Sequence, residues 1–426
     1  MTFESFAEAQ SVLLWSTFAI ALVLGAVVNK TNFCTMGAVS DAVNMGDWGR
    51  MRAWLLAIVV ALVGVVVLEA AGLVAVNDAF PPYRMGQLVW AENLLGGLIF
   101  GIGMTLASGC GNKCLIRIGG GNIKSVMVLL IIGVIAYFMV NPFPGSDQTL
   151  MSLLFIDWIR PLAVNVGSHQ DLGSLVSSDN AVTARLVIGG LIAAGLLAFI
   201  LKSAEFRGSF DNILGGVVVG LCVLGAWYVT SNLNLNIEDE VVALRDSVNP
   251  TKEYWDMYPD FHAGIDDKPD SAPLSPQSFT FINPMGQTVG YVGKGFDSSL
   301  LTFGIMSVFG VILGSLLWSL FSKGFRIEWF AGVRDFLNHF IGAALMGFGG
   351  VLAMGCTVGQ AITGVSTLAV GSIITFVAIV FGSALTMKIQ YYKMVYEDDA
   401  TLAKALITAL VDMRLLPSSL RKLEAV

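Results

Sequence analysis

Long apolar runs separated by short polar stretches dominate the chain, and their lengths suit helices that cross a bilayer. A spanning helix needs about 20 apolar residues, fewer where it is broken or re-entrant. Nine runs meet that test: Ser11 to Val28, Ala53 to Val76, Asn93 to Ala107, Ser125 to Val140, Leu186 to Leu201, Ile213 to Val229, Leu300 to Phe321, Leu337 to Met354 and Thr367 to Met387. The third is short. Weakly hydrophobic stretches, Gly119-Gly120-Gly121 and Thr363-Gly364-Val365-Ser366, follow the third and eighth runs, and both predict re-entrant segments. Asn32-Phe33-Cys34-Thr35-Met36-Gly37, too polar to continue the first span and too apolar for an ordinary loop, predicts another. Non-helical backbone at such depth survives only where it is buried in protein or lines a wet cavity.

Composition agrees with the pattern. Hydrophobic residues make up 55% of the chain and charged residues 13%, with a mean hydropathy of +0.74. Soluble domains carry about 25% charge, so the chain is expected to be an all-α polytopic membrane protein. The net charge of −7 reports on one acidic loop rather than on partners, and nothing supports nucleic-acid binding. Met1 to Gln10 holds Glu4 and Glu8 and no basic residue, unlike a cleaved signal peptide, so the first span is expected to persist.

Lys and Arg in short loops gather on the cytoplasmic side. Lys30, Arg50 and Arg52 follow the first span, Lys113, Arg117 and Lys124 the third, Lys202 and Arg207 the fifth, Lys323, Arg326 and Arg334 the seventh, and Lys388 and Lys393 the last. The long loop from Ser231 to Asp297 instead carries Glu238, Asp239, Glu240, Asp256, Asp260, Asp266, Asp267 and Asp270. This places the N-terminus outside and the C-terminus in the cytoplasm, in the inner membrane of a bacterium.

One pattern occurs twice: Gly101-x-Gly103-x-x-Leu106-Ala107-x-Gly109-Cys110 and Gly347-x-Gly349-x-x-Leu352-Ala353-x-Gly355-Cys356, with Gly96 and Gly342 in register. The expected topology sends the two copies across the membrane in opposite directions. Inverted repeats of this kind bring short or broken helices together near the midplane and frame a solute pathway. The chain therefore divides into residues 1–140 as a first inverted half, 141–185 as an extracytoplasmic connection and 186–390 as a second half. Residues 231–298 form a polar extracytoplasmic loop within the second half, and 391–426 form a cytoplasmic amphipathic tail.

The residues that carry these features resemble the YeeE/YedE family of sulfur-transport membrane proteins. The resemblance rests on Asn32-Phe33-Cys34-Thr35 with Gly46-Asp47-Trp48-Gly49-Arg50, on Gly96-Gly97 through Gly109-Cys110, and on Gly342 through Met354-Gly355-Cys356. It implies an hourglass-like bundle, thiosulfate uptake with Cys34, Cys110 and Cys356 as waypoints, and a cytoplasmic sulfur carrier protein of the TusA type as receiver. The chain departs from compact members at Lys113 and Cys114 and in the loop bearing Tyr254, Trp255, Tyr258 and His262.

The chemistry stands apart from the resemblance. Thiosulfate has three hard oxygens at one end and one soft sulfur at the other, so selection over sulfate must read the sulfur. Neutral thiols are polarisable weak donors that contact such an atom without holding it too firmly, as permeation requires. A thiolate would repel the dianion, so neutral cysteines are expected. The oxygens need positive potential, available from helix N-termini after the cysteines and from Lys113 and Arg117. Gly109 and Gly355 complete the candidate set. Sulfite, sulfide, longer sulfane species and selenium compounds offer the same soft atom or small anionic head.

Other assignments compete at several positions. Cys222 lies in an even apolar run and suits packing, and Gly97-x-x-x-Gly101 suits close helix approach. Arg117 also suits an interfacial anchor. Glu69 faces either a wet vestibule or the interface, Asp41 and Asp47 pair with Arg50 or Arg52, and Asn93 and His339 suit polar helix starts. Thr401 to Met413 reads as an amphipathic helix lying on lipid, or as a dock for a carrier protein. A membrane sulfur-transfer or redox relay using Cys110 and Cys114, and a Cu(I) transporter using the cysteines with Met36, Met104 and Met354, are the rival functions. Motifs of soluble enzymes are absent, and no catalytic residue, resident metal or cofactor is expected.

Overall fold

The computed structural model describes residues 1–77, 79–237, 240–243 and 275–424. Tyr254, Trp255, Tyr258, His262, Glu238, Asp239 and Asp256 to Asp270, all expected in the extracytoplasmic loop, lie outside the described residues. The chain is an all-α polytopic membrane protein. Its principal helices are α1 (Phe6–Lys30), α2 (Thr35–Ser40), α3 (Gly49–Ala70), α4 (Trp90–Leu106), α5 (Gly111–Gly119) and α6 (Ile123–Val140), then α7 (Ala181–Leu201) and α8 (Phe210–Ser231). There follow α9 (Ile282–Gly293), α10 (Phe303–Phe321), α11 (Val333–Leu352), α12 (Val370–Val395) and α13 (Leu402–Asp412). Among the described residues nine helical segments are long and apolar enough to cross a membrane, and they coincide with the nine runs in the sequence.

Local chemistry sets several of the ends. Ser5, Asn122 and Thr302 cap α1, α6 and α10 by accepting from the backbone N–H groups of Glu8, Ser125 and Ile305, which satisfies donors left free in a first helical turn. Strands are short: Thr2–Phe3 pairs in parallel with Asn234–Ile237, which pairs antiparallel with Glu240–Ala243.

Two helix breaks matter most. The α4 helix ends with Ser108 at φ 59° and α11 with Met354 at φ 56°. Gly109 N donates to Met104 O at 2.9 Å and Ser108 N to Thr105 O at 3.2 Å. In the other copy Gly355 N donates to Gly350 O at 2.8 Å and Met354 N to Val351 O at 2.9 Å. Both are Schellman caps. Sequence pattern points to Gly109 and Gly355 as the stops, yet the left-handed residue is the one before each glycine, a non-glycine at a cost of about 1–2 kcal/mol.

In a bilayer, helices associate through close packing of small residues because lipid is as apolar as leucine. At the centre α4 and α11 cross antiparallel with backbones almost touching. A methyl on Gly96 would stand 2.6 Å from Ala353 N, and one on Gly342 would stand 2.6 Å from Ala107 N. Other contacts come in matching pairs: α1 packs on α10 as α8 packs on α3, α4 on α12 as α11 on α6, and α5 on α10 as the π-helical turn Val358–Gly364 packs on α3. The α7 helix packs on α3 outside this scheme.

A buried ionic brace holds the turn that follows Val358–Gly364. Arg84, fully buried, donates from Nε to Thr367 O at 2.9 Å and from its two terminal nitrogens to Glu69 at 2.6 and 2.9 Å. Arg185 joins Glu69 at 2.8 Å and Asp171 at 2.7 and 2.9 Å. Two guanidiniums thus meet two carboxylates, and Glu69 is held in a nearly buried ion-pair network. Leu172 N donates to Leu368 O, and Gln170 accepts from Val370 N and Gly371 N, so the segment is clamped to the start of α12.

The tail is docked on protein along one face. Ala405, Thr408 and Ala409 are buried, α13 packs on α12, and Asp412 accepts from the Tyr392 hydroxyl at 2.5 Å and pairs with Arg421. Leu402 and Leu406 on α13 remain exposed.

Candidate functional site

Each of the three candidate cysteines stands at the N-terminal edge of a broken helix. Cys34 precedes α2, Cys110 precedes α5, and Cys356 precedes the Thr357 turn that leads into Val358–Gly364. At Cys110 and Cys356 the breaks follow from the caps described above, and at Cys34 the chain turns through Asn32 at φ 50°; in each case a new helix starts among buried residues. All three thiols are free and buried, Cys34 at 6% exposure, Cys110 at 2% and Cys356 at 0%.

Tertiary packing brings them together. The Cys110 sulfur lies within electrostatic reach of both Cys34 and Cys356, and faces the Thr357 hydroxyl and the Lys113 backbone N–H. The Cys356 sulfur faces the N–H groups of Gly359, Phe281 and Val358 and the Thr280 hydroxyl. Tyr83 lies within electrostatic reach of Cys356, and Lys113 within reach of Cys34 and Cys110. Neighbour contacts thus link Tyr83 to Cys356, Cys356 to Cys110 and Cys110 to Cys34.

The secondary candidates surround Cys110. Lys113 and Arg117 fold back over Gly109: a methyl there would stand 3.1 Å from Lys113 Cγ and 3.7 Å from Arg117 Nη1. Gly355 is covered in the same way by Gln360, whose Cγ would stand 3.3 Å from such a methyl, and Gln360 Nε2 donates to Ala353 O at 2.5 Å. Bulk at either glycine would displace these covering side chains. Cys114 is buried one turn beyond Cys110, within reach of Cys34, Lys113 and Arg117. Cys222 lies elsewhere, its sulfur 3.9 Å from Ile20 O. Asp41 pairs with Arg50 as expected from the sequence, while Asp47 accepts from Gly49 N at the start of α3.

Some of the buried side-chain polar atoms without a hydrogen-bond partner lie on or beside these cysteine-bearing segments. They include the hydroxyls of Thr35 and Tyr83 and the side-chain oxygen of Asn112, while the hydroxyls of Thr280 and Thr357 meet only the sulfurs of Cys356 and Cys110. Leaving one such group unmade costs about 1–3 kcal/mol, so a cluster of them marks a place built to meet something polar. Sequence inspection missed all five. A Cys-Thr pair recurs at Cys34-Thr35 and Cys356-Thr357, which was the available signal for two; Thr280 and Tyr83 reach the site only through packing. A cavity of about 30 Å³, bordered by Gln10, Thr280, Asn283 and Gln287, opens beside these contacts and has room for a single water.

Asn93 and His339, at equivalent places in the repeat, are both buried. Asn93 is unpartnered through both side-chain polar atoms, and His339 Nδ1 lies 2.8 Å from Asp335 O. Among the described residues no group of three His, Cys, Asp or Glu side chains is placed to hold a metal ion.

Comparison with known proteins bears on what this arrangement serves. A family model described as "Sulphur transport" matches residues 30–385. The chain is 25% identical over 356 residues to a thiosulfate transporter, TsuA, of Escherichia coli, covering 82% of this chain and 86% of the relative. It is 22% identical over 381 residues to the thiosulfate transporter TsuA of Spirochaeta thermophila, covering 87% and 97%. The matched span takes in Cys34, Cys110 and Cys356 together with the helices that position them, and the chain belongs to the sulphur-transport (YeeE/YedE) family of membrane transporters.

Proposed function

We propose that this transporter carries thiosulfate inward along the line Tyr83, Cys356, Cys110, Cys34, with neutral thiols contacting the sulfane sulfur. The observation that carries the proposal is the meeting of three free buried cysteines from three separate helix breaks, accompanied by unpartnered hydroxyls.

Sulfate and thiosulfate share charge and shape at the oxygen end, so discrimination falls to the sulfur end. Each cysteine presents a soft surface of modest strength, and Thr357 stands beside Cys110, on the stretch toward Cys356, as a donor for oxygens in passage. Helix N-termini at α2, α5 and Thr357 add positive potential without a fixed cation, roughly half a charge each, which favours a dianion while leaving it free to move on. The basic residues that follow alternate spans support an N-terminus outside and a cytoplasmic C-terminus in the inner membrane. The matching contacts of α1 to α6 and α8 to α12 support two inverted halves, with α7 outside the repeat. Transfer of the product to a cytoplasmic sulfur carrier protein fits this direction of movement.

Uptake of thiosulfate labelled at its sulfane sulfur into proteoliposomes tests the proposal, with Cys110→Ala and Cys356→Ala as variants and sulfate and Cu(I) as competitors. Uptake that resists sulfate and collapses in both variants supports a thiol-lined path. Folded protein without uptake, or sulfur found covalently on Cys110, overturns it in favour of another solute or a relay.

A further inference from the structure

Two cations beside Cys110 lack the carboxylate partner that several neighbouring cations have. Lys30 pairs with Asp211, Arg50 with Asp41 and Lys124 with Asp335, whereas Lys113 and Arg117 have no carboxylate partner among the described residues. They lie one turn apart on one face of α5, half-buried, and both side chains converge over Gly109, next to Cys110. Two like charges held together out of bulk water repel one another, and a bound anion removes that cost. Asn112, on the same helix, keeps a buried side-chain oxygen unpartnered, and Thr35, beside Cys34, keeps its hydroxyl unpartnered.

Lys113 is not idle. Its Nζ donates to Asn32 Oδ1 at 2.5 Å, and Asn32 sits at φ 50° two residues before Cys34. The bond ties the turn that carries Cys34 to the helix that carries Cys110. A neutral amide oxygen is a weaker partner for an ammonium group than an anionic oxygen, so an arriving dianion displaces Asn32.

We infer that Lys113 and Arg117 form a release-side binding site for oxyanions of charge two, latched by the Lys113–Asn32 hydrogen bond and distinct in chemistry from the thiols. This site reads charge and oxygen and is indifferent to sulfur, so sulfate occupies it as readily as thiosulfate. It rests on the proposed passage of a sulfur oxyanion along the cysteines. Its consequence is asymmetry: sulfate on the Lys113 side inhibits, and sulfate on the opposite side does not.

The test measures thiosulfate uptake into proteoliposomes with sulfate or chloride at matched ionic strength on either face. In parallel, equilibrium dialysis measures labelled sulfate bound to the detergent-solubilised full chain. Sulfate on the Lys113 side should slow uptake several-fold. Lys113→Gln and Arg117→Gln should each weaken sulfate binding about tenfold, as expected for losing one hydrogen bond to a charged group, while Asn32→Ala should tighten it. Equal inhibition from both faces, or unchanged sulfate binding in Lys113→Gln and Arg117→Gln protein that melts like the unmodified chain, overturns the inference. If the unmodified protein moves no thiosulfate, the transport proposal fails and dialysis alone decides whether this site exists.

Discussion

Gly103 and Gly342 meet backbone to backbone: a methyl on Gly103 would stand 2.6 Å from Gly342 O, and a methyl on Gly342 would stand 2.7 Å from Gly103 O. The same reciprocity joins Gly96 to Gly349, where the corresponding distances are 2.8 and 2.7 Å. A contact in which residue i meets j while the counterpart of j meets the counterpart of i is what a two-fold axis produces. The α4–α11 crossing therefore carries the pseudo-symmetry that positions Cys110 and Cys356.

Widening that crossing should separate the cysteines. Gly103→Val and Gly342→Val each force side-chain atoms into backbone, an overpacking cost of about 1–3 kcal/mol or more. The expected result is a lower Tm in detergent and loss of thiosulfate uptake. A variant with unchanged Tm and full uptake would show that the close approach is dispensable.

Soft recognition can be separated from hydrogen bonding at the thiols. Cys110→Ser and Cys356→Ser keep a small donor and remove the polarisable sulfur, so uptake should fall at least about tenfold with little change in Tm, whereas Cys222→Ala should leave uptake intact. Equal loss in Cys222→Ala would place the effect in packing.

All five cysteines are free and buried. A bulky maleimide should therefore label the folded protein slowly at each of them and label all five rapidly in denaturant. Rapid labelling of Cys110 in the folded state would mean that the path opens far wider than in this structure.

The ionic brace should respond to acid with a defined sign. Burial pulls the Asp171 carboxyl up, but its bonds to Arg185, the nearby Arg84 and the Ser174 N–H and hydroxyl outweigh that effect and hold it well below the usual carboxylate range. A group depressed in this way stabilises the fold above its unfolded pKa of about 3.9, and that contribution is lost as pH falls through the folded value. Asp171→Asn should cost about 3 kcal/mol near neutral pH, and its Tm should vary less below about pH 4 than that of the unmodified chain. Thermal melts of both proteins across that window check the sign.

The tail offers a milder contrast. Asp412→Ala removes the acceptor for Tyr392 and the partner of Arg421, and the loss from this partly buried surface network should be about 1 kcal/mol. Limited proteolysis at Lys404 and Arg414 should accelerate while uptake persists. Unchanged proteolysis would mean that the buried face of α13 alone holds the tail.

The membrane class, the nine spans and the repeated glycine-cysteine pattern were legible in the sequence because burial in lipid demands long apolar runs and backbone contact demands glycine at fixed spacing. The left-handed residues at Ser108 and Met354 were not, since the adjacent glycines are the ordinary choice for that conformation and only the cap geometry tells which residue adopts it. Glu69 illustrates the larger limit. Its position in an apolar span marks a buried charge, but its partners Arg84 and Arg185 come from separate loops and helices, and nothing local to any of the three specifies the others. The same holds for Thr280 and Tyr83 beside Cys356. Periodicity and composition act along the chain and so determine helices and their apolar surfaces; which side chains converge where two broken helices meet is decided by packing between residues far apart in sequence, and that only the tertiary structure supplies.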